Sequence, residues 1–229
     1  MDHLLAKEYV CRQRPLDICE VGVGEGHLMQ FIHRGCTPAL PQMATIWDAV
    51  SLGMDKSRLS SLGYCRLLEK DIEQSDLMLP QQYDALILLH VLEHLHEPEK
   101  ALTRLLPFLK KGGVIIGGVP VIPHSFCRLR ERQLRKTAEL HGHVSAFSPR
   151  RIKEMAKDDR LRIEMLTGAY FMRWSGSLLE QHRWWLRFNL LWGALVPAWP
   201  GELYFAIRNG NASLSHSNTH PDTSEYAEP

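Results

Sequence analysis

Three groups of residues in this sequence have the types and spacing to do chemistry. The first runs from Leu16 to Gly26 and reads L-D-I-C-E-V-G-V-G-E-G. Gly22, Gly24 and Gly26 let the backbone turn tightly and let a ligand lie against bare main chain. The carboxylates of Glu20 and Glu25 flank that turn, where they would repel a phosphate and suit a cation. A dinucleotide turn needs its third glycine or alanine one place later, where this chain has His27. No G-x-x-x-x-G-K-[ST] pattern occurs, which excludes a P-loop. The second group is acidic: Asp55, within Gly53-x-Asp55-x-Ser57, and Asp71, which precedes Ile72. The third is His90-Val-Leu-Glu93-His94, with His143 farther along. Histidine is the side chain whose ordinary pKa suits proton transfer near neutral pH.

These features fit a cationic ligand with an adenosine end and no phosphate, and S-adenosylmethionine has that character. E-V-G-V-G-E-G resembles the first motif of class I S-adenosylmethionine-dependent methyltransferases. H-V-L-E-H-L, starting at His90, resembles the post-strand motif of the methyltransferase group that includes ubiquinone-biosynthesis enzymes. The resemblance spans about residues 16 to 208, with its specific motifs in the first two-thirds. It implies that Glu20, Gly22, Gly24 and Gly26 surround the cofactor and that Asp55 accepts from the ribose hydroxyls. It also implies that Asp71 accepts from the adenine amino group, that Ile72 packs on the ring and that His90 lines the site. For a hydroxyl acceptor the base candidates are His143 and His94, His143 being more attractive because the family often has a histidine just before the helix there. Each position also has a plain reading: a helix-capping carboxylate for Asp55, a loop acid for Asp71, a hydrogen-bonded structural imidazole for each histidine. Some relatives bind a divalent ion through E-x-x-E-H, but this chain has His90 at the first place, and no metal is expected.

The elements that must position these residues can be read from apolar periodicity. Leu16, Ile18 and Val21 suit a buried strand, and Leu28, Met29, Phe31 and Ile32 repeat at helical spacing up to Gly35. Residues 3–12 could form a short helix ahead of them, and residues 36–43, with two prolines, read as a loop. A second strand is expected to end in Gly53 and Asp55, a third at Asp71, and a fourth from Tyr83 to Leu89 as a nearly continuous apolar run. Glu93 and His94 should open a helix, and Glu97 to Leu109 should be a helix covering the sheet. Lys111-Gly112-Gly113 reads as a turn into a fifth strand, Val114 to Val119, which Pro120 should stop. The run from Pro120 to His143 carries Arg128, Arg130, Arg132, Arg135 and Lys136, read as a solvated helix face or as a basic lip for an acidic substrate. Ser148-Pro149 should cap a helix, Arg160 to Thr167 alternates as a half-buried strand, and Glu202 to Arg208 reads as the last strand. The expected fold is α/β: a Rossmann-like, seven-stranded, mostly parallel sheet with helices on both faces and its last strand antiparallel. The domain should span residues 1–208, with a Trp-rich insertion at 168–201 and a disordered polar tail at 209–229.

Composition narrows the remaining choices. The chain has 229 residues, 45% hydrophobic and 23% charged, as in ordinary globular proteins. A formal net charge of +1 gives no global attraction to nucleic acid, and no nucleic-acid partner is expected. Five scattered cysteines without C-x-x-C suit reduced thiols and a cytoplasmic setting, and none sits in an activated pair. The first residues lack the pattern of a signal peptide, and no apolar run approaches a membrane span. Five of the six tryptophans fall within residues 170–201, with Arg183 and Arg187 one turn apart. For residues 176–200 that mixture fits either a peripheral membrane contact or a helix folded over the sheet. The expected acceptor is a small molecule, a lipid or a glycan, methylated on oxygen or another heteroatom, and a membrane contact would make it lipid-linked. Two other classes compete: an NAD-dependent oxidoreductase, disfavoured by His27 and Glu25, and a non-catalytic relative, disfavoured by the intact Glu20, Gly22, Gly24 and Asp55.

Overall fold

The structure is a computed structural model that describes residues 5, 14–33, 45–136, 142–169, 182–199 and 201–210. Seven strands form one sheet: β1 (Leu16–Val21), β2 (Thr45–Ser51), β3 (Arg66–Glu69), β4 (Tyr83–Leu89), β5 (Leu109–Val121), β6 (Leu161–Ala169) and β7 (Gly201–Asn209). Their order is β3-β2-β1-β4-β5-β7-β6. β7 runs antiparallel to both β5 and β6, and the first five strands are parallel. Among the helices are α1 (His27–Phe31), α2 (Lys56–Ser61), α3 (Pro98–Leu105), α4 (His124–Lys136), α5 (Pro149–Met155) and α6 (Arg183–Leu195).

Strand alternation splits the core into two layers. Along β4, Leu86 and Leu88 join a cluster with Ala101 and Leu105 of α3 and Ile152 of α5. Ala85 and Ile87 face the other way, toward Met29 of α1 and Leu59 of α2. Both faces of β4 are therefore dry, which is why its sequence is continuously apolar rather than alternating. Polar exceptions are paired. Asp84, fully buried, accepts from Arg14 Nη2 at 2.7 Å and from the Asp17 N–H at 3.0 Å, with Lys110 Nζ at 3.1 Å. Asp48 likewise pairs with Arg66 Nη2 at 2.9 Å and accepts from the Tyr83 hydroxyl at 2.8 Å.

Several boundaries differ from the sequence reading. β2 stops at Ser51, so Asp55 stands beyond the strand, as the cap of α2. β3 ends at Glu69, two residues before Asp71. Glu93 and His94 lie in a 3₁₀ turn, Leu92–His94, and α3 ends at Leu105 before a second such turn, Leu106–Phe108. β5 begins at Leu109, and Gly112, at φ +71°, sits in a bulge inside it rather than in a turn before it. β5 also passes through Pro120. Gly118 turns its carbonyl toward the His90 N–H at the end of β4, and Pro120, two residues on, faces the same side past the last β4 pairing. The missing N–H of Pro120 therefore leaves no ladder bond unmade. β6 extends to Ala169 and β7 from Gly201 to Asn209. The short helix over 3–12 (apart from Leu5), the loop at 36–43 and the tail from 211 lie outside the described residues.

Candidate active site

The carboxyl edge of the parallel strands carries a cavity of about 290 Å³. β1 and β2 reach it with Val21, Gly22, Val50, Ser51 and Leu52, and Lys70, Asp71 and Ile72 approach from just past β3. The turn after β4 closes it with Val91, His94 and Leu95. Ligands bind at this edge of an open α/β sheet because the strand-to-helix turns present their backbone there. Gly22 lies at φ +71° and donates its N–H to the Val50 carbonyl at 2.7 Å. A Cβ on it would lie 2.5 Å from Val91 Cγ2, so a side chain there would displace the cavity wall. Among the described residues, nothing lies within 4 Å of where a Cβ on Gly24 would be. Gly26 caps α1 in the left-handed region, and its bare Cα lets Leu62 pack close beneath the turn.

Glu20 is buried beneath the glycine turn and accepts from the Tyr64 hydroxyl. Burial pushes its carboxyl up to about 7, against the opposing effect of the Tyr64 hydrogen bond. Asp71 and Ile72 are on the cavity wall, and Asp71 Oδ1 also accepts from the Glu73 N–H at 2.8 Å. Asp55 stands apart: it is exposed, and its Oδ1 accepts from the Arg58 N–H at 3.0 Å as the N-cap of α2. Ser51 and Leu52 hold the place at the end of β2 that the sequence reading gave to Asp55.

The histidines converge beside this cavity. His90 adopts φ +55°, a conformation few non-glycine residues take, and its Nδ1 lies 3.1 Å from Glu93 Oε1. Glu93 is fully buried, and its backbone carbonyl accepts from the N–H groups of Val144 and Ser145 at 2.8 and 3.0 Å. Those two bonds carry the neighbouring His143 onto His94, with ring centroids 4.9 Å apart and edge to face. His94 Nδ1 lies 3.3 Å from the Gly142 carbonyl, which leaves Nε2 as the acceptor nitrogen. Burial, opposed by Glu93 and reinforced by His94, His90 and Arg130, holds His143 below the ordinary imidazole range. Its neutral, proton-accepting form is therefore favoured.

Glu93 was visible in the sequence only as part of an E-H pair; the structure makes it the hub of the cluster. Its Oε2 is buried and has no hydrogen-bond partner among the described residues. One ligand-type atom each from Glu93, His94 and His143 lie within 4.8 Å of one another. A carboxylate and two imidazoles are a donor set that suits a zinc-like divalent cation, and a cation would satisfy the orphaned oxygen. A carboxylate set among Val91, Leu92 and Leu95 was the one signal in the sequence for a buried acid. Ser51, Leu52, Lys70, Val91 and Leu95 had no signal, because nothing in their types marks them as wall residues.

The sheet order, the glycine turn after β1 and the cavity over it form one arrangement, and the family comparison agrees with it. A family model described as "Methyltransferase domain" matches residues 2–163. The chain belongs to this methyltransferase domain family. Solved structures of methyltransferases share the fold at low identity. A provisionally assigned methyltransferase from Bacillus halodurans C-125 superposes with TM-score 0.56 at 15% identity, covering 90% of this chain and 99% of that one. The N-methyltransferase NodS from Bradyrhizobium japonicum WM9, in complex with S-adenosyl-L-homocysteine, gives 0.54 at 12% identity, over 91% and 85%. The plantazolicin methyltransferase BpumL, also in complex with S-adenosylhomocysteine, gives 0.54 at 11% identity, over 92% and 82%. No curated protein matches the chain. In this methyltransferase the cavity meets the glycine turn at Gly22, with Glu20, Gly24, Gly26 and His90 outside its wall, and it shares His94 with the histidine–glutamate cluster.

Proposed function

We propose that this methyltransferase transfers the methyl group of S-adenosylmethionine to an oxygen, or another heteroatom, of a small-molecule or lipid-linked acceptor. The observation that carries this reading is the position of His94: it belongs both to the wall of the glycine-floored cavity and to the cluster with Glu93 and His143. A sulfonium donor supplies an activated methyl group and leaves as a neutral thioether. The protein's task is then to align donor and acceptor and to receive the acceptor's proton. Gly22 and Gly24 would give the donor access to the backbone, and Asp71 and Ile72 would receive the adenine end. Asp55, which caps α2, would meet the ribose only if the ligand reached past Leu52. With donor and acceptor so aligned, the acceptor oxygen would displace the thioether at the methyl carbon. His143, held neutral, takes the hydroxyl proton and becomes imidazolium, with the Glu93 carboxylate alongside to stabilise that charge. Titration calorimetry with S-adenosylmethionine and with NAD tests the cofactor: binding of the first and not the second is expected, and the reverse overturns the reading.

A second reading follows from the orphaned Glu93 Oε2. Glu93, His94 and His143 would hold a divalent cation that lowers the pKa of an acceptor hydroxyl, and His143 would then be a ligand rather than the base. Full activity after exhaustive chelation removes this reading and leaves the base; activity lost on chelation and restored by zinc selects it.

A further inference from the structure

We infer that α6, together with the basic helix α4, docks this enzyme on an anionic lipid surface with the active-site edge of the sheet turned toward the bilayer. The starting point is how little of α6 is used by the fold. Of its residues only Asn189 and Gly193 are buried. Gly193 is the contact point: a Cβ there would lie 2.5 Å from Ala169 Cα, and one on Gly168 would lie 2.2 Å from the Gly193 carbonyl oxygen. The helix therefore touches the end of β6 along a narrow seam of small residues. Trp184, Leu191 and Leu195 are left 59%, 61% and 71% exposed, with Phe188 exposed on the same face, opposite the Gly193 seam, while Leu186 and Leu190 are exposed on the flank of that seam. Contiguous exposed apolar surface of this kind marks an interaction site rather than ordinary surface. The aromatic rings are already ordered, with neighbouring centroids from Trp184 through Trp185, Phe188 and Trp192 to Trp199 lying 5.6–6.1 Å apart.

Charge identifies the occupant. Residues 182–199 contain Arg183 and Arg187 and no aspartate or glutamate. α4 contributes Arg128, Arg130, Arg132, Arg135 and Lys136 against one acid, Glu131, and Glu131 is already engaged by Arg151 and the Ala146 N–H. Phe126 and Leu129 of α4 are also 58% and 66% exposed. α6 carries two basic groups and no acid among its exposed indole and leucine side chains, and α4 carries five against one beside Phe126 and Leu129; each composition matches anionic headgroups over an apolar interior. Tryptophan prefers that boundary, where its ring is half in hydrocarbon and its N–H in the wet layer. Among the described residues no helix is long and apolar enough to cross a membrane, so α6 lies in the surface plane.

Topology gives the docked face its meaning. Val121 pairs with Gly201, and Ala169 with Glu202, at the same edge where β4 ends and His90 donates to Gly118. α4 starts three residues after Val121, and Trp199 lies two before Gly201. Both helices therefore leave the sheet on the side of the cavity and the histidine cluster. A lipid-borne acceptor would reach the site without entering bulk water; that consequence, unlike the docking itself, rests on the function proposed above.

The test is flotation of the full chain with phosphatidylcholine vesicles and with phosphatidylcholine–phosphatidylserine vesicles, at low and high salt, alongside tryptophan emission. Flotation with the anionic vesicles at low salt, a blue-shifted emission and release by high salt are expected. Arg183→Gln with Arg187→Gln should weaken vesicle binding about 30-fold, because both guanidinium attractions to the headgroups disappear. Leu191→Glu with Leu195→Glu should weaken it by roughly 10-fold or more and leave both the melting temperature and the calorimetric cofactor affinity unchanged. A wild-type chain that stays unbound at low salt overturns the proposal. So does a large loss of melting temperature in Trp184→Ala with Leu191→Ala, which would make the face packed core. A dimer in solution that Leu191→Glu dissociates also overturns it, because a second copy would then be the occupant. Since vesicle binding is read without turnover, failure here leaves the calorimetric test of the cofactor standing, and the converse holds.

Discussion

His143 combines a lowered pKa, an edge contact with a cavity-lining histidine and a buried carboxylate close by. His143→Ala should reduce turnover by about 10²–10⁴-fold with unchanged cofactor affinity, measured by steady-state rates and calorimetry. Because its pKa lies below 6.5, the acid limb of the rate–pH profile should fall below that value and vanish in the variant. Loss of the folded state would mark the imidazole as structural instead. Glu20 gives the opposite sign. Its carboxyl titrates at about 7 in the fold against 4.5 for the ordinary side chain. The buried acid is comfortable when protonated, and its contribution is fully present below 4.5 and lost as pH rises through about 7. Melting temperatures across that interval should therefore decline in the wild type relative to Glu20→Gln, the gap widening toward alkaline pH. Parallel curves for the two proteins would show that the carboxyl is not perturbed.

At the scale of elements, the glycine turn and the cap of α5 make separable predictions. Gly24 has room for a side chain among the described residues, so Gly24→Val should cost only the strain of its φ of +52°, about 1–2 kcal/mol. Cofactor binding should nevertheless collapse, because the branched side chain fills the space through which a ligand reaches the backbone. Gly22→Ala should lose both binding and stability, since its Cβ has to move Val91. Unchanged calorimetric affinity in Gly24→Val would sink the assignment of this turn. Ser148 caps α5 by accepting from the Arg151 N–H at 3.2 Å, and its hydroxyl also meets His124 Nδ1 at 3.0 Å. Ser148→Ala should cost about 1 kcal/mol, or about 2–4 °C in melting temperature for a chain of this size. A larger loss would show that the bridge to α4 matters as well.

Across the whole molecule, the amino edge of the sheet is tied by charge and the carboxyl edge is left for chemistry. Asp84 is the knot. Burial raises its pKa, but the hydrogen bonds from Arg14, the Asp17 N–H and Lys110 outweigh burial and hold it below the ordinary carboxylate value. Its stabilisation is thus present above pH 3.8 and lost as pH falls through the lower folded value. Asp84→Ala should destabilise by about 1–3 kcal/mol, because Arg14, the Asp17 N–H and Lys110 would lose their shared acceptor while Arg14 and Lys110 stay partly solvated. Urea denaturation would check this, and a loss under about 1 kcal/mol would mean that water already reaches the cluster.

The order of chemistry along the chain was legible in the sequence because each signal is local. A strand ending in E-V-G-V-G-E-G, a continuous apolar β4 and Ser148-Pro149 before a helix are decided by neighbours within a few residues. Together with the resemblance they carry, these signals also led to the seven-stranded sheet with its antiparallel last strand. Features set by pairing between distant strands were not legible. Pro120 remains in β5 because β4 has already ended beside it, and Gly112 bulges inside a strand because Ala85 pairs with Val114 while Tyr83 pairs with Leu109. Asp55 matched a motif by spacing, yet only the pairing of β2 with β3 shows that the strand runs to Ser51, opposite Glu69, and stops there, leaving Asp55 to cap the next helix. The convergence of Glu93, His94 and His143 depends on two backbone bonds between segments about fifty residues apart. The exposed face of α6 is a tertiary outcome for the same reason: its sequence suits a core or an interface equally well. Only its glycine seam on Gly168 and Ala169 decides how much of it the fold can cover.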